Sequence, residues 1–266
     1  MMGADADLKM DDTVKAVLEK YSWDAYPSKH LKYFEIGAFD LETSLATDDT
    51  LHICDQNVSD ADCVALGKLL RMMRPENMKS IYMSNNRITD AGCAAMAQGA
   101  ASLPNIELFY VARNEISDAG VSSVAQHLAK TKLWQLVLSE NKFGDAGVAA
   151  LAEAVQRDAT AFAHLKWLFL DHSEISDKGV AQLATALTKG MKAVTRLALQ
   201  NCKLTNRGLK SLVRSPTAQP TLYRAGGARA HPRAQTLPHP VVTHGSSDRL
   251  TCCTGGRHQR RRAARV

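Results

Sequence analysis

Apolar and polar residues recur in one fixed pattern through the middle of the chain. The pattern reads apolar, any residue, apolar, two residues, small polar, any residue, apolar, any residue, Asp, any residue, Gly. Six segments follow it, with Asp62 replacing the Gly in the first and Asn206 replacing the Asp in the last. Their small polar positions are residues 56, 86, 114, 141, 173 and 202, at intervals of 27 to 32 residues. Self-similarity at such a period predicts a repeat architecture.

Each repeat unit divides into a strand half and a helix half. The alternating apolar pair predicts a short strand, and the small polar residue after it, Asn in three repeats, is suited to hydrogen-bond backbone groups at the strand exit. The Asp four residues later is predicted as the N-cap of a helix. Counting from that Asp, positions +3, +6, +7 and +10 form an apolar stripe in five helices, as at Val148, Leu151, Ala152 and Val155. Position +7 is always Ala or Gly, which we attribute to close packing of the helix on the sheet.

A strand and a helix of this length cannot bury their apolar faces alone, so the units must stack with a parallel sheet on one side and helices on the other. The phrases Ile-Thr-Asp-Ala-Gly-Cys at 88–93 and Phe-Gly-Asp-Ala-Gly-Val at 143–148 closely resemble leucine-rich repeats of the ribonuclease-inhibitor type, which alternate between 28 and 29 residues. The resemblance implies an α/β leucine-rich-repeat solenoid: a curved horseshoe segment with the sheet on its concave face.

Three regions are predicted along the chain. Residues 1–47 are expected to form an N-terminal cap, residues 48–214 a leucine-rich-repeat domain of about six repeats, and residues 215–266 a basic, Pro/Arg-rich, disordered tail. In the cap, residues 12–20 have helical spacing, whereas the following apolar positions resemble the strand half of a repeat: Leu31, Phe34, Ile36, Phe39 and Leu41. The last repeat is expected to break off at Pro216, because Pro cannot continue a helix interior.

The basic charge of the chain belongs to its tail. The formal net charge is +6, but residues 215–266 hold nine Arg, no Lys and one Asp, which leaves residues 1–214 at −2. Arg260, Arg261 and Arg262 fit a patch for nucleic acid, an acidic partner or nuclear import. The alternative is a disordered extension without a function of its own, or an altered reading frame.

Composition excludes several classes of protein. No run of about 18 apolar residues suggests a membrane span, and the acidic N-terminus differs from a signal peptide. The six cysteines lack a CxxC pair or zinc-ligand spacing, so we expect free thiols, no metal and no cofactor. A cytoplasmic protein is expected, with a nuclear location left open by the tail.

The side chains between the apolar strand positions should lie on the concave face, the family's usual binding surface. Aromatic residues there supply large contact areas at low entropic cost, which favours binding of a protein partner. The alternative is that these rings pack on one another without a partner. The predicted partner-binding residues are Tyr82, Tyr110, Gln135, Trp167, Phe169, Asp171 and Arg196. A second candidate is the row of residues that follows the strands, namely Asp55, Asn85, Arg113, Glu140, His172 and Asn201.

No enzymatic motif is recognised: a glycine-rich phosphate loop and a nucleophile elbow are absent, and Asp171-His172 lacks a plausible nucleophile. We therefore predict a non-enzymatic protein-interaction scaffold without a small-molecule substrate or membrane partner. Nucleic acid is expected only at the tail. The alternative is a regulator of a small GTPase, since activators of the Ran GTPase resemble this repeat type in fold. Those activators have more repeats and an acidic tail, unlike this chain.

Overall fold

The computed structural model describes residues 10–22 and 40–213, together with the backbone of one further strand, Thr221–Tyr223. After two initial helices, strands and helices alternate through this part of the chain. The helices are α1 (Asp12–Lys20), α2 (Leu41–Thr47), α3 (Asp60–Met73), α4 (Asp90–Ala101), α5 (Asp118–Leu128), α6 (Asp145–Arg157), α7 (Asp177–Lys189) and α8 (Asn206–Val213). The strands are β1 (Thr50–His52), β2 (Ser80–Tyr82), β3 (Leu108–Tyr110), β4 (Gln135–Val137), β5 (Trp167–Phe169), β6 (Arg196–Ala198) and β7 (Thr221–Tyr223).

The strands form one parallel sheet in chain order. Equivalent residues of neighbouring strands pair, so the middle residues align: Leu51, Ile81, Phe109, Leu136, Leu168, Leu197 and Leu222. In β1–β6 these middle residues are fully buried in the core that the strands share with the helices. The predicted α/β leucine-rich-repeat solenoid, with a parallel sheet on one side and helices on the other, is confirmed.

The helix stripe was predicted correctly. All four stripe positions are buried in each of α3 to α7, and each of these helices packs on the next. Burying side chains of this size stabilises a protein by about 1.5–3 kcal/mol each relative to exposure. The regular stripe therefore supplies the helix side of the apolar core between helices and sheet.

The explanation given above for the small stripe residue is wrong at Gly67. A Cβ at Gly67 would lie 2.4 Å from the backbone oxygen of Ala95 in α4, and one at Gly99 would lie 2.8 Å from the Cα of Gly67. These glycines therefore permit close packing of helix on helix, and not of helix on sheet. Sequence alone did not distinguish the two neighbours of the helix.

The N-terminal helices pack against the first repeat. Helix α1 has the predicted bounds, buries Val14 and Val17, and contacts α3. Leu41 was grouped with a strand pattern but begins helix α2, because the Asp40 side chain accepts a hydrogen bond from the Glu42 N–H and caps that helix. The other members of that pattern lie outside the described residues.

The sheet continues beyond the predicted end of the repeat domain. Helix α8 ends at Val213, before Pro216 as expected, but β7 lies within the segment predicted to be a disordered tail. Its residues pair in register with β6, Thr221 with Arg196 and Tyr223 with Ala198. The boundary drawn at residue 214 is therefore wrong by at least one strand. The strand was missed because it lacks the rest of the repeat pattern after it.

Candidate interaction surface

The candidate surface is the face of the sheet that points away from the helices, which we call the sheet face. Successive side chains of a strand point to opposite sides, so the first and third residues of each strand lie on this face when the middle residue is in the core. Adjacent strands are about 4.8 Å apart. Equivalent side chains of neighbouring repeats are therefore close enough to contact one another.

Three rings stack along the first three strands of the sheet face. The ring centroids of His52 and Tyr82 are 5.7 Å apart, and those of Tyr82 and Tyr110 are 5.6 Å apart, with tilted planes. Cys54 and Leu108 complete this cluster. Tyr82 is only 5% exposed because its neighbours cover it, so its prediction as an exposed anchor is wrong. Tyr110 is half-buried.

The centre of the sheet face is closely packed. Gln135 is 2% exposed, and its Oε1 atom has no hydrogen-bond partner among the described residues. It lies beside Leu108 and Trp167 of the neighbouring strands. The prediction that Gln135 is an accessible contact is wrong for the same reason as for Tyr82. Asp171 is half-buried, and its Oδ1 accepts a hydrogen bond of 2.6 Å from the Ser139 hydroxyl.

The later strands carry a second aromatic group, formed by Trp134, Trp167, Phe169 and Arg196, which we call the tryptophan cluster. The Trp167 ring meets Trp134 edge to face with centroids 4.8 Å apart, and Phe169 in the same manner at 6.4 Å. The Arg196 guanidinium lies 4.2 Å from the Trp167 ring centroid, a cation–π contact. All four side chains are half-buried, so part of each remains available to a partner.

Trp134 was missed by the sequence analysis. It immediately precedes β4, and its Nε1 donates a 3.1 Å hydrogen bond to Glu107 Oε2. The candidates named above lie within the strands or after them, whereas the residue before each strand also borders the sheet face. The equivalent position of the next repeat is Lys166, because Trp167 is in register with Gln135.

Asparagines at the strand exits hydrogen-bond backbone groups, as predicted, and they also join adjacent repeats. Asn114 donates from Nδ2 to the carbonyl oxygens of Met83 and Val111, at 3.0 and 3.1 Å, while its Oδ1 accepts from the Ile88 N–H. Each such side chain satisfies backbone groups of its own repeat and the preceding one. The same arrangement recurs at Asn86 and Asn141.

The second candidate row is largely paired within itself. Its six residues have left-handed backbones, with φ between 53° and 59°. Neighbours in the row bind each other: Asn85 donates to Asp55, Arg113 Nε lies 2.9 Å from Glu140 Oε1, and Asn201 Nδ2 lies 2.9 Å from His172 Nε2. These polar groups contact one another, which weakens the row as a binding site.

The recurring aspartates cap helices, but not their own. The residue before each Asp is the N-cap, and the Asp is the first helical residue. Asp145 of α6 reaches across to α7, where its Oδ1 accepts from the Ser176 N–H at 2.8 Å and the Gly179 N–H at 3.0 Å. The predicted capping is therefore corrected: each carboxylate caps the helix of the following repeat. We call Asp60, Asp90, Asp118, Asp145 and Asp177 the carboxylate row.

The glycine at the third helical position of α4 to α8 leaves room for the carboxylate of the preceding repeat. A Cβ at Gly179 would lie 2.4 Å from Asp145 Oδ1, and one at Gly208 would lie 2.3 Å from Asp177 Oδ1. The first repeat has Asp62 at this position, and no earlier repeat supplies a member of the carboxylate row to its helix. Asp62 instead forms a capping box with Ser59 within α3 and pairs with Lys20 of α1 at 2.7 Å.

The cysteines of the described residues show no sign of reactivity. Cys54, Cys63 and Cys93 are buried free thiols, and Cys202 is a half-buried one. Burial, reinforced by nearby carboxylates such as Asp60, raises the pKa of Cys63, and burial likewise raises the pKa of Cys93 to about 12. Thiols with such pKa values remain protonated and are poor nucleophiles.

Within the described part of the chain, every helix falls short of the length and apolar character needed to cross a membrane. Within residues 10–22 and 40–213, His, Cys, Asp and Glu side chains do not gather in groups of three or more that could hold a metal ion.

Comparison with known proteins agrees with this architecture. Residues 75–97, 129–152 and 192–213 match the family model "Leucine Rich repeat", so the chain contains leucine-rich repeats. Among solved structures, an internalin from Listeria monocytogenes matches with 20% identity and a TM-score of 0.39, over 62% of this chain. This chain spans 38% of the internalin chain. The search of curated proteins found no match.

Proposed function

We propose that this protein is a non-enzymatic interaction scaffold that binds a protein partner on the sheet face, centred on the tryptophan cluster. The observation that carries the proposal is the half-buried group of Trp167, Phe169 and Arg196 on rigid parallel strands. Trp and Arg are the residue types most enriched among residues that dominate interface energies. Because the repeat array fixes their positions, little conformational entropy is lost on binding.

Asp171 and Tyr110 extend the proposed site toward the strand exits and the earlier repeats. Both are half-buried on the sheet face. The buried Tyr82 and Gln135 support the site from within and are not proposed as contacts. The partner is therefore proposed to bind the later strands of the sheet face, where the tryptophan cluster lies.

We also propose that the protein acts in the cytoplasm. Support comes from the free thiols Cys54, Cys63, Cys93 and Cys202, since cysteines of a reducing compartment remain unpaired. Fractionation of the native cell, followed by immunodetection, tests the location. Recovery of the protein mainly from a membrane or secreted fraction would contradict it.

The scaffold proposal is tested by capturing partners from the native cell with the immobilised full chain and identifying them by mass spectrometry. The Kd of each recovered partner is then measured by calorimetry against the double variant Trp167→Ala, Phe169→Ala. We expect binding about 100-fold weaker, as for the loss of two interface anchors. The control is Val64→Ala on α3, which removes an apolar side chain that is 55% exposed on the opposite side.

Unchanged binding by the double variant would contradict the proposed face. Circular dichroism of each variant verifies that the fold is retained. The small-GTPase alternative is not favoured by any contact among the described residues. It is tested separately by measuring GTP hydrolysis by Ran-like GTPases with and without the full chain, where we expect equal rates.

A further inference from the structure

One edge of the solenoid becomes strongly basic beside the tryptophan cluster. This edge consists of the segments that lead from each helix to the next strand. Segments 130–134, 157–166 and 189–196 contain seven cationic residues and one carboxylate, a net charge of +6. The equivalent segments of earlier repeats, 74–80 and 102–108, contain two of each and are neutral. We call the three later segments the basic edge.

Part of this charge has a structural explanation. Lys130 forms an ion pair with Asp158 at 3.2 Å. Arg157 and Lys189 lie in the last turns of α6 and α7, where a cation interacts favourably with the helix dipole. These residues do not require a partner outside the chain.

The remaining lysines have no such role. Lys132, Lys166 and Lys192 are exposed, and none forms an ion pair within the described part of the chain. The Lys132 Nζ donates to the amide oxygen of Asn105 at 3.0 Å, which leaves its charge uncompensated. Like charges collected without counter-charges repel one another, so the arrangement is better suited to binding an anionic partner than to stability.

The basic edge is continuous with the tryptophan cluster. The backbone N–H groups of Lys166 and Trp167 both donate to the Trp134 carbonyl oxygen, at 2.8 and 3.0 Å. The Arg196 N–H in turn donates to the Lys166 carbonyl at 3.1 Å. Lys166 therefore lies between the two tryptophans and Arg196 along the backbone ladder. A partner bound to the rings can therefore also reach Lys166.

We propose that the partner presents an acidic polypeptide segment, with apolar side chains on the tryptophan cluster and carboxylates on Lys132, Lys166 and Lys192. This inference rests on the proposed function and specifies the partner's chemistry. Carboxylates of an extended chain lie on one side every two residues, about 6–7 Å apart. An acidic segment that crosses the edge therefore encounters several cations together.

A polypeptide fits this surface better than a nucleic acid does. Bases bind single-strand surfaces by stacking on aromatic faces. Arg196 occupies a face of Trp167, and Trp134 meets that ring at an interplanar angle of 76°. A base therefore cannot stack on the face of Trp167 that Arg196 occupies.

The test selects 12-residue peptides from a displayed random library on the full chain and measures their Kd by fluorescence polarisation at several salt concentrations. We expect peptides enriched in Asp and Glu around an aromatic or aliphatic residue, with binding that weakens as salt rises. The triple variant Lys132→Glu, Lys166→Glu, Lys192→Glu should bind about 30-fold more weakly, because each change replaces attraction of a peptide carboxylate by repulsion.

The matched control reverses three cations on the opposite edge, Arg87→Glu, Lys178→Glu and Arg207→Glu, for the same change in net charge. We expect its affinity to stay within about twofold of the parent, because these residues lie at the entry to helices on the other edge. A loss equal to that of the lysine variant would show that only overall charge matters. That result would overturn the proposal.

The remaining outcomes distinguish this inference from the proposed function. Selected peptides without acidic enrichment that still require Trp167 and Phe169 would overturn the acidic partner and leave the sheet-face site intact. Acidic peptides that require the lysines but not the rings would support the basic edge and overturn the sheet-face site. Failure to select any peptide, or tighter binding of a 20-nucleotide polyuridine that depends on the lysines, would overturn the inference.

Discussion

The two edges of the solenoid both carry rows of charge, but they use them differently. The aspartates of the carboxylate row lie at the start of their helices. Their carboxylates accept hydrogen bonds from the N-terminus of the helix in the following repeat. On the basic edge, Lys132, Lys166 and Lys192 meet no carboxylate of the described residues and remain exposed. A recurring charge is therefore structural where the chain supplies its partner. It is a candidate for function where the chain does not.

This comparison predicts that substitutions at the carboxylate row reduce the stability of the protein most. Gly179→Ala would place a Cβ 2.4 Å from Asp145 Oδ1 and displace the carboxylate that caps α7. We expect the free energy of unfolding to fall by about 2–3 kcal/mol, measured by urea denaturation. The control is Gly147→Ala, whose Cβ would lie 3.0 Å from Asp118 Oδ1 and should cost less than about 1 kcal/mol. Equal losses at the two sites would refute this interpretation of the glycine.

Removing a charge from each edge sharpens the contrast. Asp145→Asn keeps the shape of the side chain but weakens the hydrogen bonds from Ser176 and Gly179, so we expect a loss of about 1–2 kcal/mol at neutral pH. Lys166→Ala on the basic edge should change the free energy of unfolding by no more than about 0.5 kcal/mol. A comparable fall in the free energy of unfolding in both variants would contradict the proposed difference between the two edges.

The pH dependence of the same variant follows from its pKa. Burial tends to raise the pKa of Asp145, but hydrogen bonds from Ser176 and Gly179 outweigh it and hold that pKa below its ordinary value. The stabilisation is therefore complete above the unfolded pKa of about 4 and is lost as the pH falls through the lower folded value. The difference between parent and Asp145→Asn should shrink below about pH 4. A constant difference down to pH 2 would contradict the assignment.

The smallest expected effect is a gain in stability. Gly144 is the N-cap of α6, has a φ of −134°, and has room for a Cβ, since the nearest atom would be 3.5 Å away. At the equivalent position of α7, the Ser176 hydroxyl donates to Asp145 Oδ2. Gly144→Ser supplies the same donor to Asp118, so unfolding should cost about 0.5–1 kcal/mol more. A lower melting temperature by calorimetry would show that the N-cap positions are not equivalent.

The fold was predicted well from the sequence because the same pattern of strand and helix residues recurs in each repeat. The stripe positions of α3 to α7 and the asparagines at 86, 114 and 141 were assigned correctly, since each depends on spacing within one unit. The aspartate caps were placed one helix too early, because capping was considered for each helix in isolation. The sequence did contain a clue to capping from the preceding repeat. Asp62 replaces Gly in the first repeat, to which no earlier repeat supplies a member of the carboxylate row.

The candidate site was predicted less well, because exposure depends on neighbouring strands. Tyr82 and Gln135 have the same strand positions as residues that remain accessible, yet neighbouring side chains cover them. Trp134 was overlooked because it stands just outside its strand. Strand periodicity assigns a side chain to a face, but the size of the side chains in adjacent repeats decides how much of it a partner reaches.

The capping arrangement gives the array a direction. Helix α3 carries its own capping box, whereas each helix from α4 to α8 receives its carboxylate from the repeat before it. In a linear array with nearest-neighbour coupling, the coupling is therefore asymmetric: a unit added after folded repeats finds its cap already in place. Synthesis delivers the repeats in that same order, from the N-terminus onward. The emerging chain can thus add one capped helix at a time.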